Sequence, residues 1–383
     1  MKDFTFYSPT KFVFGKDTEQ RIGQLCREAG ATKVLLVYGG QSAQKSGLLD
    51  RIQRSLTEAG ISFTLLGGVK PNPRVELVRK GVDTVHREGI DFILAVGGGS
   101  VIDTAKGIGI GALYEGDIWD YFLRTKNPEK MMPVGVVLTI AAAGSEGSPN
   151  CVLTNEALGI KSGCMHDCIR PKFAVLNPEL TYTLPPYQTA CGITDIIMHT
   201  QERYFTPVPD SYLTDELCEA VLRTVIHFGP IVMENPTDYN ARAQIMWAGT
   251  IAHNNTVGVG RIQDSSCHRI QGKIGGKYDS AHGAGLATVC PAWMQYVYKT
   301  NLPRFIRYAT KVWGVAYDPY HPENTALEGI LRLKAFFRQI GMPTTLAELG
   351  VPEEDIPVLS NMSTGNMQSL GPEDIRQIYE LMR

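Results

Sequence analysis

The residues of this chain whose types and spacing could do chemistry together begin with Asp195 and His199, four positions apart. On a helix, positions i and i+4 share a face, so both side chains can reach one ion. Three further histidines, His253, His268 and His282, follow in the second half. One carboxylate with three imidazoles suits a borderline divalent cation such as iron(II) or zinc. Spacing alone does not choose His268 and His282 over His253. Each histidine taken singly reads equally as a surface or satisfied core residue, and Asp195 with His199 as a pair on a helix surface.

The first half carries a different chemistry. Gly97, Gly98, Gly99 and Ser100 follow an apolar run, 91–96, and precede a helical pattern, 101–112. Absent side chains let a pyrophosphate approach the backbone, and a helix N-terminus favours its charge. A tight structural turn would use the same residues. Ile102 stands where a third glycine would complete GxGxxG, so the ordinary Rossmann fingerprint is not met. Gly39 and Gly40, with Ser42 and Lys45 beyond them, follow a second apolar run, 33–38. A dinucleotide site often holds an acidic residue there for the ribose 2′-hydroxyl. Here a small hydroxyl and a lysine stand instead, which suits a 2′-phosphate and predicts NADP(H) over NAD.

Elements must position these groups. Near-continuous apolar runs at 33–38, 63–66, 91–96 and 134–138 alternate with helical patterns at 48–59, 75–86 and 101–112. That rhythm predicts a parallel sheet covered on both faces. It stops near Leu184, Pro185 and Pro186. Long amphipathic stretches follow at 187–205, 211–228, 238–253 and 324–340. The expectation is an α/β dinucleotide-binding domain over 1–184 and an all-helical metal-binding domain over 185–383. A length of 383 residues accommodates two such cores.

Composition narrows the class. Hydrophobic residues make up 43% and charged residues 20%, as in a soluble globular protein. The formal charge is -2 and no basic block stands out, so nucleic acid and anionic membrane are not expected partners. The start of the chain does not read as a secretory signal, and no apolar run is long enough to span a bilayer. The expected compartment is the cytoplasm. Eight cysteines with no CxxC pair are expected to be reduced, mostly buried thiols. Cys164, His166 and Cys168 lack a second ligand pair and are read as a loop or strand edge.

These motifs together resemble the iron-containing (group III) alcohol dehydrogenase family, and most of all its NADPH-dependent butanol dehydrogenase and broad-specificity aldehyde reductase branch. The likeness runs from Ser8–Gly15 through 34–42, Lys45–Leu48, Pro71–Pro73, Gly97–Lys106, Gly144–Glu146 and Lys172–Glu179 to Asp195 with His199 and His268 with His282. The resemblance implies a dehydroquinate synthase-like cofactor domain, a helical metal domain and a cleft between them. It implies that Asp195, His199, His268 and His282 hold one Fe2+ or Zn2+ ion, and it sets His253 aside as a neighbour. It implies a cofactor site at Gly39, Gly40, Ser42, Lys45, Asn72, Gly97, Gly98, Gly99, Ser100, Asp103 and Thr139. Lys161 is expected on the nicotinamide ribose, beside the reacting centre.

The implied activity is hydride transfer between NADP(H) and primary alcohols or short-chain aldehydes, in a homodimer or larger homo-oligomer. Glycerol dehydrogenase-like and dehydroquinate synthase-like enzymes share the plan, and a non-catalytic nucleotide-binding protein could retain it. The synthase would need a basic cluster near the ligands, for which Arg261 and Arg269 are the candidates. Three residues depart from the family pattern: Ala143 replaces a threonine, His253 stands in an apolar position, and Arg269 directly follows a ligand.

Overall fold

The apolar runs form strands because β-branched and aliphatic residues fill both faces of a covered sheet. In the computed structural model, which describes residues 1–383, eight strands occur: β1 (Lys11–Phe14), β2 (Lys33–Tyr38), β3 (Ser62–Leu66), β4 (Phe92–Gly97), β5 (Val134–Leu138), β6 (Asn150–Asn155), β7 (Ile160–Met165) and β8 (Phe173–Leu176). Six form one parallel sheet in the order β1-β8-β5-β4-β2-β3. The central strands β2, β4 and β5 are buried along most of their length. Around them lie α1 (Ile22–Glu28), α2 (Ser42–Lys45), α3 (Leu48–Glu58), α4 (Val75–Glu88), α5 (Gly99–Gly111) and α6 (Trp119–Phe122). These elements make one compact unit, Tyr7–Thr183.

Topology decides where a ligand can sit on this unit. From β2 the chain goes to β3 on one side and then to β4 on the other. Open parallel sheets bind ligands at such a reversal, beyond the carboxyl ends of the strands. Tyr38 pairs with Val96, and Gly97 with Leu138. The turns holding Gly39–Ser42, Gly97–Ser100 and Thr139 therefore emerge side by side.

The β6–β7 hairpin was not evident in the sequence. It places Lys161 opposite Thr154. Cys164 lies on β7, Cys168 in the short turn after it, and all eight cysteines are free thiols.

A buried cation fixes the segment leading into this hairpin. Lys106, on α5, is fully buried. Its Nζ donates to the carbonyls of Ser145 (2.6 Å), Ser148 (3.0 Å) and Asn150 (2.8 Å), and to Ser145 Oγ (3.1 Å). Asp103, one turn earlier, accepts from Ser145 Oγ (2.7 Å) and from the Val152 N–H (3.0 Å). Both residues of the α5 motif thus hold the chain between Ser145 and Val152.

The remaining residues, Leu184–Arg383, form a second unit together with Met1–Phe6. The sequence reading placed those six residues with the first domain. The Lys2 N–H donates to Gly260 O (2.9 Å) and the Met1 ammonium to Pro209 O (3.2 Å). The helices are α7 (Pro186–Tyr204), α8 (Tyr212–Glu234), α9 (Tyr239–His253), α10 (Ser266–Tyr278), α11 (His282–Val297), α12 (Leu302–Trp313), α13 (Pro322–Gln339), α14 (Leu346–Leu349), α15 (Ile356–Leu359) and α16 (Pro372–Glu380). Pro186 starts α7 at a position where its missing N–H costs nothing. From Thr189 onward α7 is wholly buried and packs against α8, α9 and α11. A Cβ on Gly283 would lie 2.3 Å from the Cys191 carbonyl oxygen, so a glycine there lets α11 meet the α7 backbone beside His282. No helix is long and apolar enough to cross a membrane.

Replacing Lys106 by Met keeps the volume but leaves three buried carbonyls without their donor. It should lower unfolding stability by about 3 kcal/mol. Urea unfolding would measure this, and an unchanged midpoint would show that the contacts carry no net stability.

Candidate metal centre and cofactor edge

Three elements of the helical unit converge on one oxygen. Asp195 and His199 lie one turn apart on α7, His268 in the first turn of α10, and His282 at the start of α11. Asp195 Oδ1 stands 3.4 Å from His199 Nε2, 3.5 Å from His268 Nε2 and 3.6 Å from His282 Nε2. Two ligands ~2.1 Å from one ion at the tetrahedral angle stand ~3.4 Å apart. The three spacings are those of donors around a common ion, and they exceed good hydrogen bonds. Asp195 Oδ1 and His268 Nε2 are buried with no hydrogen-bond partner. Orphaned buried donors and acceptors of this kind are expected where an ion supplies the missing interaction. The residues fit a divalent cation.

Ring orientation comes from a second set of residues. Glu202, on α7 and almost fully buried, uses both oxygens on α10. Oε1 accepts the His268 backbone N–H (3.1 Å), and Oε2 lies 2.8 Å from His268 Nδ1. The second contact is off the ideal hydrogen-bond line and is best described as an ion pair. His282 Nδ1 lies 2.7 Å from Gln271 Oε1, one turn along α10 from His268. With Nδ1 held in this way, Nε2 of each ring is the nitrogen left for an ion. His199, Glu202 and His268 also bring donor atoms within 4.8 Å of one another. One ion cannot use both nitrogens of His268, so Asp195 is the carboxylate that fits. His253 belongs to neither donor group; its ring stacks on His199 at 4.0 Å between centroids.

Charge follows from this crowding. Burial raises the Asp195 pKa, but the imidazoles of His282 and His268 outweigh it and hold the carboxyl below its ordinary value. Burial and the neighbouring His253 and His268 push His199 well below its ordinary value. Burial also opposes a charge on His268, yet Glu202 and Asp195 outweigh it and raise that imidazole to about 10. Without an ion, the buried carboxylates are therefore balanced by a proton on His268. A cation that binds there must displace this proton.

The sequence-predicted cofactor residues lie together on the α/β unit. Gly97–Ser100 span the end of β4 and the start of α5. A Cβ on Gly98 would meet Ile140 Cγ2 at 2.1 Å, so the fold itself requires that glycine. Gly40 has nothing within 4 Å and Gly99 only a 3.8 Å contact, so both leave open backbone. The Thr139 N–H donates to Gly97 O (3.1 Å), and Lys161 Nζ donates to Asn72 Oδ1 (2.9 Å). Asp103 has both oxygens engaged within the chain and stands in a positioning role.

Two residues that matter here were missed from the sequence. Glu202 continues the face of Asp195 and His199 at i+7, a signal available on a buried helix. Gln271 had no such signal. Arg261 is not part of a substrate cluster: it donates to Asp215 Oδ1 (2.7 Å), as does Arg304 (2.7 Å). Cys164, His166 and Cys168 are in neither metal-competent group.

The profile of iron-containing alcohol dehydrogenase matches residues 9–178, and that of the Fe-containing alcohol dehydrogenase family, C-terminal, matches residues 189–382. The chain belongs to this family. It is 37% identical to NADH-dependent butanol dehydrogenase A of Clostridium acetobutylicum, over 99% of both chains. It is 35% identical to the NADPH-dependent aldehyde reductase YqhD of Escherichia coli, over 100% of both. The crystal structure of NADH-dependent butanol dehydrogenase A from Thermotoga maritima superposes with a TM-score of 0.96 at 40% identity, covering 100% of this chain and 99% of that one.

Titrating metal-free protein with Zn(II) tests the site. Apparent affinity should rise about 10-fold per pH unit between pH 6 and 8, because His268, at about 10, carries a proton throughout. Glu202→Gln should weaken binding by roughly 10- to 100-fold. A flat pH profile and an unaffected variant would remove the proton exchange and the role of Glu202.

Proposed function

We propose that this protein is a metal-dependent oxidoreductase that interconverts primary alcohols and short-chain aldehydes, with NADP(H) as its preferred cofactor. The observation that carries the reading is the set of three imidazole Nε2 atoms 3.4–3.6 Å from one buried oxygen of Asp195. Asp195, His199, His268 and His282 would hold Fe2+ or Zn2+, with Glu202 and Gln271 orienting two of the rings. The bound ion supplies Lewis acidity, stabilising negative charge on the substrate oxygen and lowering the pKa of an alcohol.

The α/β unit supplies the hydride carrier. Gly97–Ser100, with Gly39 and Gly40, would receive the pyrophosphate at the start of α5. Lys161, steadied by Asn72, would orient the nicotinamide ribose, and Thr139 would line the same edge. Asp103 and Lys106 hold the segment that follows it. Ser42 and Lys45 support a 2′-phosphate, and no acidic residue lies between Tyr38 and Lys45 to bond a 2′-hydroxyl. The named relatives divide on this point, some NADH-dependent and one NADPH-dependent. Eight free thiols suit a reducing compartment, and the cytoplasm is the proposed setting.

Rates on short aldehydes with NADPH and with NADH, after loading with Fe(II) or Zn(II), test the reading. NADPH should be preferred, and His268→Ala should lose metal and activity together. A clear preference for NADH would overturn the cofactor assignment alone. Full activity in metal-free His268→Ala would overturn the metal centre.

A homo-oligomer is part of the same proposal. Phe4, Phe6 and Tyr7 are about half exposed, on a segment outside the regular elements whose apolar side chains would be covered by pairing with a copy of itself. Light scattering should show a dimer or larger species that shifts toward monomer in Phe4→Ser/Phe6→Ser. A wild-type monomer would dismiss it.

A further inference from the structure

The three imidazoles around Asp195 are not held alike. His268 Nδ1 faces Glu202 Oε2 at 2.8 Å, and His282 Nδ1 faces Gln271 Oε1 at 2.7 Å. His199 Nδ1 is buried and has no hydrogen-bond partner. A ligating imidazole nearly always gives its other nitrogen to an acceptor, which fixes the tautomer and the plane of the ring. His199 Nε2 is turned to Asp195, 3.4 Å away, so the proton of a neutral ring sits on Nδ1 and meets no acceptor. Arg203 Nη1 donates to the His199 carbonyl (2.6 Å), which secures the backbone and not the ring.

Something other than a hydrogen bond must set this ring. The torsion that turns an imidazole is broad and roughly two-fold, so a ring without a partner swings or flips with little resistance. His253 removes that freedom. Its ring lies on that of His199 at 4.0 Å between centroids and 22° between planes. This is closer and flatter than the 4.5 Å and 27° of His268 on the same ring. Both His199 and His253 are buried, so the stacked pair is shut off from solvent. In a close-packed interior, a flat neighbour at this distance leaves no space for the other ring to turn edge-on.

The backbone holds His253 in place. It is the last residue of α9, which packs on α7. The Asn254 N–H still donates to Thr250 O (3.0 Å). The chain then turns at Asn255, whose φ of +83° is left-handed, a conformation that asparagine accepts more readily than most residues. The Gly258 N–H closes the turn on Asn255 O (3.0 Å), and a Cβ at Gly258 would lie 2.3 Å from Asn255 Oδ1. α9 thus ends where its last side chain covers the His199 ring.

We infer that His253 is a positioning residue of the metal centre: by stacking, its ring does for His199 what Glu202 and Gln271 do for His268 and His282. The inference rests on the reading of Asp195, His199, His268 and His282 as metal ligands. His253 belongs to neither group of donor atoms, so its contribution is the face of a ring. Phenylalanine has the same face and should serve as well.

Zn(II) titration of the metal-free protein and the visible spectrum of the Co(II)-loaded protein test this. His253→Ala should weaken Zn(II) binding by roughly 10-fold and shift the Co(II) bands, because the His199 ring is released. His253→Phe should keep the wild-type spectrum and bind Zn(II) within about 2-fold of wild type. In a His199→Ala background, His253→Ala should weaken binding no further, since the ring it acts on is gone. Equal losses in both backgrounds would reveal a general packing role and overturn the inference. Unaltered affinity and spectrum in His253→Ala would overturn it too, and leave the metal centre standing. Should His253→Ala not fold, His253→Phe decides alone, and a loss of affinity or a changed spectrum there would overturn stacking as the cause. A wild-type protein that binds no Zn(II) would overturn the metal centre itself, and this role of His253 with it.

Discussion

A carboxylate buried against three imidazoles is the constraint on which the helical unit depends. Asp195 loses its water, and the rings around it accept or donate only through nitrogens that lie too far away for good hydrogen bonds. The charges must be balanced by something at the centre, a proton or a cation. Most of the surrounding construction serves to keep the donors in place for the second option. α7 is buried along almost its whole length, α11 approaches it at Gly283, and Glu202 fastens the first turn of α10 by two contacts.

The α/β unit solves a different problem by similar means. Its proposed ligand edge must expose backbone, yet the segments around it must not move. Gly98 is required by close packing on Ile140, while Gly40 and Gly99 are free of such contacts. Asp103 and Lys106, one turn apart on α5, hold the 145–152 segment with a half-buried carboxylate and a buried ammonium. A motif that reads as cofactor-binding in sequence is, in structure, divided between residues that leave room and residues that hold the frame.

This division explains what could be read from the sequence. The α/β-then-helical order was legible because short, near-continuous apolar runs alternating with helical patterns give way near Leu184 to long amphipathic stretches alone. Asp195 and His199 were legible through their spacing. His268 and His282 were not, since their convergence is made by α10 and α11 folding back on α7, and only family resemblance chose them over His253. The stretch after His268 carries Gly272, Gly275 and Gly276, which weaken any helical signal, yet it is helical because packing decides it. Glu202 was missed although its spacing announced it. Gln271 had no signal, because its partner His282 is placed by tertiary structure alone.

The opening residues of the chain have a consequence for biosynthesis. Met1–Phe6 belong with the helical unit, and the carbonyls they bond, at Pro209 and Gly260, lie more than two hundred residues downstream. Domains fold as their residues emerge from the ribosome. The α/β unit is complete in sequence by Thr183, so it can fold while the arm before it still has nowhere to dock. Until those carbonyls are in place, Met1–Phe6 lack the hydrogen-bond partners that hold them in the folded unit.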